Sequence, residues 1–180
     1  MKNVTECFPK TKSYPIGVLQ FGEGNFLRAF ADEMIDIANE KGLTNLGVAV
    51  VKPRPGSVER FRLQDGRYTV ILRGLEEGKT VVRSRVIHCL EKVLSPNEDA
   101  SEILHLAALP SLRFVLSNTT EAGIVLNPED DPRKDPQSFP GKVCRLLWER
   151  YLAFQGSAVC SQRSSACDRE CPIVQVDGTT

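Results

Sequence analysis

The residues best placed to do chemistry are Phe21, Gly22, Glu23, Gly24, Asn25, Phe26, Leu27 and Arg28, the last seven following the apolar run Val18-Leu19-Gln20-Phe21 without a gap. Two glycines one residue apart, after a strand and before a helix, let the backbone approach an anion because no Cβ stands in the way. The helix that opens next points unpaired N–H groups, and its positive dipole end, at the same spot. A pyrophosphate suits such a turn, and the dinucleotide fingerprint GxGxxG uses it. Here Leu27 takes the third glycine position, and Arg28 offers a cation one residue later. From local pattern, a nucleotide-binding turn and an ordinary tight βα turn both stay open.

The elements that must hold this turn can be read on either side of it. Val18, Leu19 and Phe21, between Pro15 and Gly22, form a buried-strand pattern of a parallel sheet. Phe26, Phe30, Met34 and Ile37, with Leu27, Ala31, Ile35 and Ala38, predict one helix with a broad buried face that stops at Gly42. The apolar run 46–51 then completes a βαβ unit. Its tip carries Lys52 and Arg54 where an acid would accept a ribose 2′-hydroxyl, so these cations are either solvated loop residues or partners for a 2′-phosphate.

Farther on, runs 68–72 and 81–87 flank Glu76-Glu77-Gly78-Lys79 and predict an antiparallel hairpin. Ser95-Pro96-Asn97-Glu98 has the form of a capping box opening a helix that Pro110 ends. Residues 113–116 predict another buried strand, with Ser117-Asn118-Thr119-Thr120 past its carboxyl end. These small polar residues serve either as a loop cap or as the border of a ligand crevice. Segment 127–140 is expected as surface loop. Ser138 is expected to cap a helix whose stripe Val143, Leu146, Leu147, Tyr151 and Phe154 belongs to the core.

Composition narrows the class. The chain has 180 residues, 41% of them apolar, and 23 acidic residues balance 23 basic ones. One domain-sized core is expected, with no nucleic-acid arm, no signal peptide and no membrane span, hence a cytoplasmic chain with reduced thiols. His88 and His105 lack an evident metal partner and are read as structural, and no metal site is predicted.

The run 21–30, Phe-Gly-Glu-Gly-Asn-Phe-Leu-Arg-Ala-Phe, closely resembles the opening of the long-chain polyol and mannitol dehydrogenase family. Two later stretches agree with it: Ser117-Asn118-Thr119-Thr120-Glu121-Ala122-Gly123-Ile124, and Ser138-Phe139-Pro140-Gly141-Lys142 leading into Leu147-Trp148-Glu149-Arg150-Tyr151. The resemblance spans roughly residues 14 to 156 and implies an α/β fold. That fold is a Rossmann-like parallel sheet with a βαβ dinucleotide-binding unit and a β-hairpin extension, truncated relative to the family. It also implies that Phe21 to Arg28 hold the pyrophosphate of NAD, with NADP still open, while Asn118, Thr119 and Glu121 border the nicotinamide. The likeness is strongest to members that reduce D-tagaturonate to D-altronate with NADH. Members acting on fructuronate or mannitol, or a non-catalytic nucleotide-binding module, stand as alternatives.

The resemblance further implies a lysine with asparagine and histidine helpers for the proton, in a second domain. None of Lys41, Lys52, Lys79, Lys92 or Lys142 sits in a matching motif, so no catalytic residue is assigned. The sugar acid is accordingly expected as a partner only of the intact parent. Residues 1–156 are read as a partial NAD-binding domain. Residues 157–180 contain Cys160, Cys167 and Cys171 but no leucine, and are expected to form an atypical, disordered tail left by truncation or frameshift.

Overall fold

A computed structural model describes residues 4–52, 57–96, 99–118, 124–125, 127–131, 133–158 and 173–175. A short helix α1 (Val4–Cys7) precedes strand β1 (Ile16–Phe21), helices α2 (Asn25–Ala29) and α3 (Ala31–Glu40), and strand β2 (Gly47–Val51). After α4 (Glu59–Leu63) come the hairpin strands β3 (Tyr68–Glu76) and β4 (Lys79–Ile87), then β5 (Leu90–Leu94). Helix α5 (Ala100–Ala107), strand β6 (Phe114–Ser117), helix α6 (Phe139–Ala158) and strand β7 (Ile173–Gln175) complete the order.

Five strands form one parallel sheet, ordered β5-β2-β1-β6-β7. Beta-branched and apolar residues dominate β1, β2 and β6, as strands covered on both faces require. Val18, Val48 and Val50 pack on one face with Ile35, Phe61 and the hairpin base Tyr68, Val70 and Ile87. Leu19, Phe21, Ala49 and Val51 pack on the other with Ile103, Leu106 and Leu146, from α5 and α6. The chain order reverses direction between β1 and β6, which makes the crevice beyond their carboxyl ends the switch point of a doubly wound sheet.

The hairpin forms as the alternation predicts, closing through Glu77 and Gly78 at φ 51° and 75°. Positive φ at both turn residues matches the right-handed twist of paired strands. Ser138 caps α6 as expected, its Oγ accepting from Gly141 N at 3.0 Å.

Several expectations change. The single helix after Gly24 is broken at Phe30 (φ −121°, ψ −69°), giving α2 and α3. Its buried face is also different: Phe26, Phe30 and Met34 are 44%, 47% and 51% exposed, while Leu27, Ala31, Asp32, Asp36 and Asn39 turn inward. Hydrogen bonds outweigh hydropathy there, because Asp32 receives a bond from Tyr68 and Asp36 one each from the backbone of His88 and Cys89.

Helix α5 begins at Ala100, not Pro96. Asp99 accepts from Ser95 N at 2.8 Å, which closes a turn before the helix starts, and Asn97 and Glu98 lie outside the described residues. Along α6 only part of the expected core stripe is inside: Leu146 is buried and Val143 packs against the core, but Tyr151 and Phe154 are exposed. Residues 173–175 depart from the tail expected over 157–180. They form β7, pairing parallel to β6 from Val115↔Ile173 to Ser117↔Gln175, and so extend an edge that β6 would otherwise leave open.

Candidate functional site

The glycine turn sits where the sheet order reverses. Phe21 is in register with Val51 on one side and with Ser117 on the other, so the ends of β2, β1 and β6 lie side by side. Gly22 has φ +121°, a conformation that side-chain-bearing residues rarely adopt. A Cβ there would stand 3.5 Å from Leu27 and 3.7 Å from the Asn118 carbonyl, which brings the first and second motifs into one crevice. The third motif joins them, for Phe139 packs edge-on against Phe21 with ring centroids 5.4 Å apart.

Gly24 is different in kind. Its backbone is ordinary extended chain (φ −63°, ψ 157°), and a Cβ there would meet nothing within 4 Å. Its task is therefore to leave space, not to make a turn. Behind it α2 is only five residues long, so any anion attraction comes from first-turn N–H groups and not from a long dipole.

Each side chain of the turn has a defined place. Glu23 forms an ion pair with Lys52, Oε1 to Nζ 2.8 Å, with side-chain exposures of 24% and 13%. Lys52 is thus neither a solvated cation nor a free one, and Arg54 lies outside the described residues. Asn25 accepts from Arg28 Nη2 at 2.6 Å. The Arg28 guanidinium lies 5.5 Å from the Phe61 ring and 5.4 Å from the Tyr68 ring, turned toward the hairpin base. Leu27 is buried and Phe26 stacks on Phe30 at the surface. Of the second motif, Ser117 and Asn118 stand at the crevice, whereas Thr119 and Glu121 lie outside the described residues.

Residues that the pattern reading left out support the turn from behind. Gln20, fully buried within β1, donates from Nε2 to the Gly22 carbonyl at 3.1 Å. Asp32, equally buried on α3, accepts from Tyr68 Oη at 2.8 Å, and the same hydroxyl lies 3.0 Å from the Arg28 carbonyl. Burial pushes the Asp32 carboxyl up to about 6, against the opposing pull of the Tyr68 hydrogen bond, the nearby Gln20 amide and the Arg28 charge. The Tyr68 hydroxyl is raised above its ordinary range by burial and by that carboxylate.

Gln20 Oε1, Asp32 Oδ1 and Ser117 Oγ are buried with no hydrogen-bond partner among the described residues. The orphaned Ser117 Oγ at the end of β6, on the same crevice as a glycine with open space about it, fits a polar group received from outside. Two signals in the sequence could have found this network: a glutamine inside an otherwise apolar strand, and aspartates four apart on one helix face. Among the described residues there is no group of three or more His, Cys, Asp or Glu that could hold a metal, and no helix long and apolar enough to cross a membrane.

Comparison with known proteins gives this crevice a context. The family model of the mannitol dehydrogenase Rossmann domain matches residues 16–169. The altronate oxidoreductase of Yersinia enterocolitica serotype O:8 / biotype 1B (strain NCTC 13174 / 8081) is 45% identical over 151 residues, covering 82% of this chain and 31% of its own. That of Klebsiella pneumoniae (strain 342) is 47% identical over 150 residues, 81% of this chain and 31% of its own.

Among solved structures, D-sorbitol dehydrogenase in substrate-free form superposes with a TM-score of 0.67 at 22% identity, covering 93% of this chain and 35% of that one. The Pseudomonas fluorescens mannitol 2-dehydrogenase ternary complex with NAD and D-mannitol gives 0.65 at 20% identity, covering 91% and 34%. At those identities the likeness concerns the fold. The chain spans about a third of the length of the relatives it matches.

Proposed function

The chain belongs to the mannitol dehydrogenase family, and on that premise we propose that it is the amino-terminal, cofactor-binding portion of an NAD-dependent oxidoreductase of hexuronate catabolism. The parent reaction in this reading is D-tagaturonate plus NADH to D-altronate plus NAD. The altronate oxidoreductases at 45% and 47% identity favour this substrate over fructuronate or mannitol. When bound, the cofactor supplies a hydride from C4 of its nicotinamide.

The observation that carries the proposal is the crevice itself. A positive-φ Gly22 lies beside Asn118, with an open Gly24 two residues on, at the switch point of a parallel sheet, which is where doubly wound sheets take dinucleotides. The chain's own part is to bind and orient. First-turn N–H groups of α2, beside the space at Gly24, would hold the pyrophosphate, and Gln20 fixes the Gly22 carbonyl. Arg28 acts by bracing Asn25 against the hairpin base. Asn118, Thr119 and Glu121 border the nicotinamide side. Groups that hold the sugar acid and move its proton are assigned to the remainder of the relatives' length, and the working compartment to the cytoplasm.

Thermal unfolding with and without millimolar NADH tests this, since a ligand that binds only the folded state raises its midpoint, by about 2.7 kcal/mol of stability at a hundredfold excess over Kd. The midpoint is expected to rise, and Gly24→Asp, which fills the open space with a like charge, is expected to abolish the rise. An unchanged midpoint in the unsubstituted chain would overturn the proposal.

A further inference from the structure

Residues 23 and 52 lie just beyond the ends of two neighbouring parallel strands. Gly22 N donates to the Val51 carbonyl at 2.9 Å, and Lys52 N to the Leu94 carbonyl at 2.9 Å, so the backbone is fixed up to each of them. Their side chains meet at 2.8 Å, with most of both removed from solvent. In a doubly wound sheet the pyrophosphate crosses the glycine turn after the first strand, and the adenosine ribose lies over the tip of the second. The ion pair spans those two places. Proteins that choose NAD usually set an acid at the second tip, and those that choose NADP set an arginine near it. This chain has a lysine at the tip whose charge is already engaged by a glutamate from the glycine turn, and Arg54, two positions on, lies outside the described residues.

We infer that Glu23, held by Lys52, is the residue that selects a dinucleotide with a free ribose 2′-hydroxyl over one with a 2′-phosphate; the inference rests on the cofactor reading above. A carboxylate accepts at two oxygens. With Oε1 on Lys52, Oε2 is the acceptor offered to a hydroxyl donor. A 2′-phosphate has no proton to give at neutral pH and brings like charge against Glu23. To reach Lys52 it must first part the pair, leaving a mostly buried carboxylate without its cation. The discriminating acid has thus moved from the tip of β2 to the turn after β1, and Lys52 orients it.

Fluorescence titration of the purified chain with NADH and with NADPH, for the unsubstituted protein, Glu23→Gln and Lys52→Met, tests the assignment, with far-UV circular dichroism confirming that each variant is folded. The unsubstituted chain is expected to bind NADH at least about tenfold more tightly than NADPH. Glu23→Gln removes the like charge and frees Lys52, and is expected to tighten NADPH by about tenfold while NADH weakens. Lys52→Met keeps the carboxylate but releases it from its anchor, and is expected to keep a smaller preference for NADH.

Equal or tighter binding of NADPH by the unsubstituted chain overturns the inference while leaving cofactor binding intact, and this arm needs no variant to fold. A ratio unmoved in Glu23→Gln overturns it likewise. Failure to bind either nucleotide overturns the cofactor reading, and the inference with it.

Discussion

Asp32 offers the sharpest perturbation, because the cost of its charge can be worked from its surroundings. The carboxyl is fully buried on α3, one oxygen bonded to Tyr68 and the other without a hydrogen-bond partner among the described residues, as is Gln20 Oε1. Its pKa rises from 3.8 to about 6, which is worth about 3 kcal/mol at about 1.4 kcal/mol per pH unit. Because the folded value lies above the unfolded one, the folded chain holds this proton more tightly. The stabilisation is complete below pH 3.8 and is lost as pH rises through about 6. At pH 7.5 the folded state therefore carries a buried, under-bonded carboxylate.

Asp32→Asn keeps the shape and cannot ionise. Its amide oxygen can still accept from Tyr68, and its NH₂ supplies a donor to the orphan acceptors. The variant is expected to be more stable by up to about 3 kcal/mol at pH 7.5, or roughly 6–12 °C in Tm for a chain of this size. The difference should vanish near pH 4. Urea unfolding followed by circular dichroism from pH 4 to 8, for both proteins, measures it. Taking the difference between the two curves removes Glu40, Asp130 and Asp131, whose carboxyls are held below the ordinary range by Arg85, by Ser138 and by Arg133 respectively and which titrate in both proteins. A variant less stable than its parent at pH 7.5, or one that keeps the same loss between pH 4 and 6.5, would refute the reasoning.

The two glycines of the turn should respond oppositely to alanine. Gly22→Ala forces a side chain onto φ +121° and is expected to cost about 1–3 kcal/mol in urea unfolding; Gly24→Ala, with an ordinary backbone and open space, is expected to stay within about 0.5 kcal/mol. Arg150 donates to the carbonyls of Ala107, Leu109 and Leu112 at 2.9, 3.3 and 2.7 Å, closing the end of α5. Arg150→Ala is expected to lose about 2–3 kcal/mol, and Arg150→Lys to recover only part of it, because one ammonium cannot span three carbonyls.

Much of the architecture was legible in the chain alone, because it rests on local periodicity. The run from Ile16 to Phe21, the glycine turn, the second strand to Val51, the hairpin around Glu77-Gly78 and the Ser138 cap all follow from spacing and turn chemistry, and the structure has each of them. The resemblance in 21–30, 117–124 and 138–151 marked three separated stretches, and the fold draws Phe21, Gly22, Asn118 and Phe139 to one end of the sheet.

What periodicity could not supply was the direction each side chain faces once a helix can choose between two surfaces. Phe26, Phe30 and Met34 look like a core stripe, yet Asp32 and Asp36 turn inward, since their partners Tyr68, His88 and Cys89 arrive from tens of residues away. In the same way, Lys52 reads as a loop cation until β1 and β2 align and place Glu23 within 2.8 Å of it. The sequence determined which elements exist and where the turn lies, because those depend on neighbours along the chain. Only the tertiary structure decided which charges are buried and with what they pair, because desolvation and hydrogen bonding depend on neighbours in space.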